Sequence, residues 1–141
     1  MDLVRYVDHE EPVSYAAGTV IFRQGDRGDV MYIVKQGEVQ LTYGVGQTTT
    51  VGPGSSFGEM ALIDRNPRSA DALAATDVQL YPVNQRLFFV LVHDTPYFAL
   101  ELMKSLSDRL RRANGALPTP AGPSTAARIG APSEPGTIDD T

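Results

Sequence analysis

The residues best suited to chemistry lie in one stretch, FGEMALIDRNPRSADALA, residues 57–74. Near its start are a glycine and an acid, Gly58 and Glu59, and nine and ten residues after the acid come an arginine and a hydroxyl, Arg68 and Ser69. Glycine lets the backbone approach a ligand closely. Arginine supplies a planar fork of donors that suits phosphate oxygens. The spacing therefore predicts an anion site within a single loop.

The segment between these residues is expected to form a short helix. EMALIDR predicts about two turns, which Pro67 ends because the residue before a proline is disfavoured in the helical region. The first N–H groups of a helix lack partners and lie at the positive end of its dipole. A small residue, Ala61, leaves room there, and Arg68 can fold back over the helix start. The sequence thus predicts a phosphate cradle.

The acid at the same place indicates what carries the phosphate. A carboxylate beside a bound phosphate is repelled unless it accepts hydrogen bonds from the ligand, and ribose hydroxyls are common donors next to a phosphate. Taken alone, Glu59 and Arg68 would each be read as solvated surface charges. Their spacing favours a nucleotide site instead.

Short strands separated by glycine turns must position this loop. Val39, Leu41 and Tyr43 alternate with polar residues as in a half-buried strand, and Val78 and Leu80 share a face of another. Pro82 suggests that the latter is an edge strand. The predicted strands are GTVIFR, VMYIVK, EVQLTY, TTTV, SADALAA and VQLYPV. Many short strands with close turns indicate a barrel or jelly-roll type of sheet.

Two helices are expected after the strands. Asn84 can cap a helix that continues to about His93, and Thr95-Pro96 is a favourable start for a second helix. In the second helix, apolar residues recur at i+4: Phe98, Leu102, Leu106 and Leu110. Asn114-Gly115 is a typical stop.

Composition limits the remaining possibilities. The 141 residues fit one domain of residues 1–114, followed by a Pro/Ala/Gly-rich segment, 115–141, that is predicted to be disordered. There is no cysteine, which excludes thiolate metal sites and cysteine nucleophiles. Two distant histidines, His9 and His93, argue against a metal site. The net charge of −5 disfavours nucleic acid, and no long apolar run suggests a membrane span, so we expect a cytoplasmic protein.

FGEMAL, the spacer IDRN, and PRSA together resemble the phosphate-binding cassette of the cyclic nucleotide-binding domain family, which includes the catabolite activator protein and protein kinase A regulatory subunits. AGTVIFRQGDRGDVMYIVKQGEVQL is similar to the first strands of that family, and TPYFALELMKSLSDRLRRAN to its closing helix. The resemblance implies a mainly β fold with flanking α: an eight-strand antiparallel, jelly-roll-like β-roll with a short cassette helix and two C-terminal helices. The N-terminal helices of the family are expected to be short or missing.

The resemblance also implies site roles. Glu59 would bind the ribose 2′-hydroxyl and Arg68 the cyclic phosphate. Further donors would come from Gly58, Met60, Ala61 and Ser69. The glycines Gly25, Gly28 and Gly37 would form turns outside the pocket. Serine at position 69, where many cGMP-preferring members have threonine, favours cAMP over cGMP. Candidates for contact with the base are Arg109, Leu110 and Arg112.

We therefore expect a stand-alone cyclic nucleotide sensor, a monomer or weak homodimer, that signals through its last helix to an unknown effector protein. Neither catalysis nor a cofactor is expected, because no histidine pair, cysteine or second carboxylate motif assembles a nucleophile and base. The alternative is a β-roll interaction module that has lost useful nucleotide affinity. Glu59 and Arg68, both present, are the features that favour the sensor.

Overall fold

Two four-stranded antiparallel sheets form the body of the protein in the computed structural model, which describes residues 2–115 and their side chains as far as Arg111. The strand orders are β1-β8-β3-β6 and β2-β7-β4-β5. The strands are β1 Val13–Tyr15, β2 Val20–Phe22, β3 Val30–Gln36, β4 Val39–Tyr43, β5 Gln47–Val51, β6 Ser56–Phe57, β7 Asp71–Ala74 and β8 Val78–Asn84. The predicted fold class, an eight-strand β-roll with helices, is confirmed.

The core takes side chains from strands of both sheets. Val39 and Leu41 on β4 are buried, as the alternation predicts, and Val78 and Leu80 on β8 are buried with them. Apolar residues at period two on facing strands fill the space between sheets, which is the usual core of a β-roll. The cassette loop between β6 and β7 therefore begins and ends on strands whose side chains are packed in the core.

The prediction that Pro82 marks an edge strand is wrong. β8 lies between β1 and β3, with Val13 opposite Leu80 and Tyr32 opposite Pro82. The pairing with β1 covers only residues 78–80, so Pro82 lies beyond it, where one side of β8 has no paired neighbour. A proline is tolerated there because its missing N–H group removes no ladder bond on that side.

Two strands were not predicted, and both are very short. β1 has three residues and β6 has two, too few for a period of two to stand out in the sequence. They form by pairing with the longer strands β8 and β3. β6 matters for the site because Gly58 follows it directly.

The helix of the cassette is shorter than predicted. α1 spans Met60–Ile63, one turn rather than two, and ends at Asp64. Arg65 then adopts a left-handed backbone conformation with φ of 58°, three residues before Arg68. The helix thus ends before Pro67 can act as its terminator, and the loop from 64 to 67 carries the chain to the arginine.

The C-terminal helices agree with the prediction at their starts. α2 spans Gln85–Asp94, and the Asn84 side chain accepts the N–H of Leu87 at 2.8 Å. α3 spans Pro96–Gly115, where the N–H of Phe98 donates to the carbonyl of Thr95 at 2.8 Å. α3 includes Gly115, one residue past the predicted domain limit. The predicted tail from 116 onward lies outside the described residues.

An aromatic cluster joins the N-terminal segment to both helices. A single 3-10 turn, Val4–Tyr6, is the helical structure described before β1, in line with the expected short N-terminal part. The ring of Phe98 meets Tyr6 and Phe88 edge-on, at centroid distances of 5.5 and 5.9 Å. Tyr6 and Arg5 also bond the carboxylate of Glu101. The start of α3 is therefore anchored to the body.

The predicted apolar row of α3 divides at the middle of the helix. Phe98 and Leu102 are buried, whereas Leu110 is 62% exposed. Contacts within the chain place residues up to Ser105 in one compact unit and those from Leu106 onward in a second. Only the first half of the row therefore contributes to the core of the β-roll unit.

Candidate functional site

Arg68 is the central residue of the candidate site, and the structure holds it on several sides. Its side chain is buried, with 7% of its surface exposed. Nη1 donates to the carbonyl of Gly58 at 3.1 Å, and Nη2 donates to the carbonyl of Val30 at 2.9 Å. The predicted return of Arg68 to the start of the cassette helix is seen in the first of these bonds.

The loop after β2 fixes the backbone of the same residue. The N–H of Gly25 donates to the Arg68 carbonyl at 2.8 Å, and the N–H of Arg68 donates to the Asp26 carbonyl at 2.8 Å. Gly25 has φ of 91°, a conformation that favours glycine. Main chain and guanidinium are both held, so little side-chain entropy remains to be lost when a ligand binds.

Gly28, expected to form a turn outside the pocket, lies close against the guanidinium of Arg68. A Cβ atom added at Gly28 would lie 2.2 Å from Arg68 Nε, closer than real side chains come. Gly28 is needed for this close approach rather than for a left-handed turn. The sequence contains no signal that distinguishes it from the turn glycines nearby.

The guanidinium also lies over an aromatic ring. Its central carbon lies 4.1 Å from the centroid of Phe22, a distance typical of a cation–π contact. Phe22, Tyr32 and Phe57 contact one another with centroids 5.2 to 6.4 Å apart. Burial, with a contribution from neighbouring Tyr15, raises the pKa of Tyr32 to about 12, so its phenol is neutral at ordinary pH.

One nitrogen of Arg68 is left without a bond. Nε is buried and has no hydrogen-bond partner within the described part of the chain. Burial lowers the pKa of Arg68, because the surroundings solvate its charge poorly, and the partial compensation comes from Tyr32, Asp29 and Asp26. A buried cation with an unused donor is a costly arrangement unless an anion joins it.

Glu59 is buried beside Ser56, a partner that the sequence reading missed. Glu59 is 6% exposed and Ser56 fully buried. The Ser56 hydroxyl donates to Oε2 of Glu59 at 2.5 Å. A serine three residues before the acid is a weak signal by itself, because serines are common in loops. In the structure this hydroxyl sets the orientation of the carboxylate.

The remaining predicted contacts differ in exposure. Gly58 has φ of 78°, which fits the tight turn expected of it. Met60 is 48% exposed, Ala61 is buried, and Ser69 is exposed. Three of these four further predicted contacts, Gly58, Ala61 and Ser69, are therefore small residues near one buried arginine and one buried acid.

The predicted base contacts remain predictions. Leu110 is exposed and Arg109 half-buried, and both belong to the second unit, which starts at Leu106. The side chain of Arg112 lies outside the part that the structure describes.

Within residues 2–115, no group of three or more acid or histidine side chains could hold a metal ion. His9 and His93 are exposed. Among the helices of the same range, none is both long and apolar enough to span a membrane.

These features together define a small-molecule domain of the phosphate-cassette type. They are a β-roll, a one-turn helix after a left-handed glycine, a buried acid, and a buried arginine that folds back to the start of that helix. The family model described as the cyclic nucleotide-binding domain matches residues 12–94. The chain belongs to this family.

Two curated relatives support membership of the same family. The chain is 40% identical over 105 residues to the cyclic AMP receptor protein of Thermus thermophilus, covering 71% of this chain and 49% of that protein. It is 36% identical over 108 residues to a cAMP-dependent protein kinase regulatory subunit of Candida albicans, covering 70% of this chain and 24% of that subunit. The chain thus spans half or less of the length of these relatives.

Solved structures give the same fold. The catabolite activator protein of Thermus thermophilus matches with a TM-score of 0.66 and 36% identity, over 78% of this chain and 54% of that one. An EAL enzyme in its cAMP-bound form matches with a TM-score of 0.53 and 36% identity, over 74% of this chain and 29% of that one. The same enzyme has been solved in a cGMP-bound form.

Proposed function

We propose that the protein binds a cyclic mononucleotide in the cassette, prefers cAMP to cGMP, and signals its occupancy to a separate protein partner. The observation that carries the proposal is Arg68: a buried guanidinium, held by two backbone carbonyls, whose Nε has no partner among the described residues. The cyclic phosphate would supply the missing acceptor. The preorganised fork then loses little freedom on binding.

Glu59 would bind the ribose. Its carboxylate accepts a hydrogen bond from Ser56 on Oε2, and the ribose 2′-hydroxyl would donate to it in addition. With Arg68 on the phosphate and Glu59 on the sugar, the ligand is fixed at two points. Backbone or hydroxyl donors from Gly58, Met60, Ala61 and Ser69 complete the proposed contact set.

The preference for cAMP rests on two arguments. Position 69 carries serine rather than the threonine of many cGMP-preferring members of the family. Two relatives are named for cAMP, a receptor protein and a kinase regulatory subunit. The existence of both cAMP-bound and cGMP-bound forms of one structural relative makes the ratio of the two affinities the quantity to measure.

The signal would travel from the cassette loop to the C-terminal helices. Arg65 in that loop donates to the side chain of Gln85, the first residue of α2, at 3.0 Å. Phe88 on α2 meets Phe98 on α3. Movement of residues 58–69 when the phosphate binds would thus shift α2 and then the start of α3, a two-state element that a partner could recognise.

The test is calorimetric titration of the purified protein with cAMP and separately with cGMP. We expect saturable binding to both, tighter for cAMP. Arg68→Ala should weaken this binding strongly. Its matched control is Arg23→Ala, which removes an exposed arginine from the same loop region and should bind as the parent does. Heat from neither nucleotide, with a folded protein by circular dichroism, would refute the sensor and favour the interaction module.

Coupling needs a second measurement on the same sample. We expect the backbone amide resonances of Gln85, Phe88 and Phe98 to shift when cAMP saturates the protein. Binding without any shift in these residues would contradict the signalling route while leaving nucleotide binding intact.

A further inference from the structure

A cavity separate from the buried acid and arginine of the cassette lies between the end of α1 and the start of α2. It has a volume of about 500 Å³, within the range of about 300–1,000 Å³ that small-molecule sites occupy. Three arginines from three chain segments line it: Arg27, Arg65 and Arg86. Neither Glu59 nor Arg68 is among its lining residues.

The three cations are poorly compensated. Asp29 is the only carboxylate residue of the lining, and its charge also acts on Arg68. Arg65 bonds the neutral amide of Gln85. In the part of the chain that the structure describes, the side chains of Arg27 and Arg86 make no salt bridge or hydrogen bond. The chain as a whole carries −5, so this grouping opposes the overall charge.

Backbone groups add to the positive electrostatic potential of the cavity. Gln85 and Arg86, the first two residues of the ten-residue helix α2, both line the cavity. The Asn84 side chain caps the N–H of Leu87 at 2.8 Å. The positive end of the α2 dipole therefore lies at the cavity.

We infer that this cavity binds a phosphate group, free or carried by a small molecule, through Arg27, Arg65 and Arg86. A phosphate offers three or more oxygens in different directions, so guanidinium groups arriving from separate segments can each find an acceptor. A carboxylate has two coplanar oxygens and suits a single fork. The proposed site uses neither Glu59 nor Arg68, although Gly28 and Ala61 border both places.

The test is NMR titration of the full chain with inorganic pyrophosphate and, separately, with ribose 5-phosphate, followed through backbone amides and arginine Nε–H resonances. We expect saturable shifts at Gln85, Arg86 and the Nε–H groups of the three arginines. Tighter binding of pyrophosphate would identify a free anion, and tighter binding of the sugar phosphate would identify an organic carrier. The titration is run with and without saturating cAMP.

The double variant Arg65→Gln, Arg86→Gln should weaken binding at least about tenfold, since each charge-assisted contact to phosphate is worth a substantial part of the affinity. Both side chains are exposed, so the fold is retained. The control Lys104→Gln removes an exposed charge from α3 and should change affinity less than twofold. Shifts confined to Met60 and Ala61, or equal affinity in the double variant and the control, would overturn the inference.

Discussion

Two places in the protein use arginine, and they are built differently. In the cassette, one buried arginine is held by the carbonyls of Gly58 and Val30 and contacts Phe22 and Gly28. In the cavity beside α2, the lining arginines are exposed and approach from separate segments. The first arrangement fixes the direction of the guanidinium donors before a ligand binds. The second places several positive charges around one cavity.

The difference has a physical consequence. A buried guanidinium in fixed geometry favours one ligand orientation and is weakly screened by salt, because little water or salt surrounds it. Exposed guanidiniums keep their rotamer freedom and act mainly through their summed field. The cassette should therefore discriminate between ligands by shape, and the cavity mainly by charge. The following experiments would break or sharpen this comparison.

The largest effect is expected from Arg68. Arg68→Ala should weaken cAMP binding by at least about 100-fold, because it removes the proposed fork to the phosphate. It should also cost about 2 kcal/mol of stability, since the carbonyl of Val30 loses its charged donor. Arg68→Lys keeps the charge without the fork and should remain severely weakened. Recovery of affinity in the lysine variant, measured by calorimetry, would contradict the fixed-geometry argument.

Gly28→Ala should have the next largest effect. The added Cβ would lie 2.2 Å from Arg68 Nε, so the guanidinium must move, at a cost of about 1–3 kcal/mol in unfolding free energy. Cyclic nucleotide affinity should fall with it. The matched control is Gly52→Ala, where φ is ordinary and no atom lies within 4 Å of the new carbon. Similar denaturation midpoints for the two variants would refute the close packing of Arg68.

Glu59→Gln tests the ribose contact. The variant keeps the shape and an acceptor for Ser56 but loses the charge, so cAMP affinity should fall about tenfold. The control is cyclic 2′-deoxyadenosine monophosphate, which lacks the proposed donor and should bind parent and variant about equally. An equal loss with both nucleotides would show that Glu59 acts through the fold of the loop.

A change in ionic strength should have the smallest effect on binding, and it compares the two sites directly. Raising ionic strength from about 0.1 M to about 1 M shortens the screening length from about 10 to about 3 Å. Pyrophosphate binding at the cavity should weaken several-fold over this range, whereas cAMP binding at the buried cassette should change less than twofold. Equal salt dependence, measured by titration at both ionic strengths, would mean that the two sites do not differ in the proposed way.

Local patterns predicted much of the fold. The long strands alternate clearly, and the caps at Asn84 and Thr95-Pro96 bond close neighbours in sequence, so both could be found without tertiary information. β1 and β6 could not be found because they form only by pairing with distant strands. The length of α1 was overestimated since propensity alone does not show where Arg65 leaves the helix.

The sequence by itself determined the types and spacing of the cassette residues and the period of the strands, because these depend on neighbours along the chain. Only the tertiary structure decided that Gly28 packs on Arg68, that Ser56 orients Glu59, and that three distant arginines share one cavity. The physical reason is that such contacts join residues far apart in the chain. Their geometry is set by sheet pairing and loop closure, which no local pattern records.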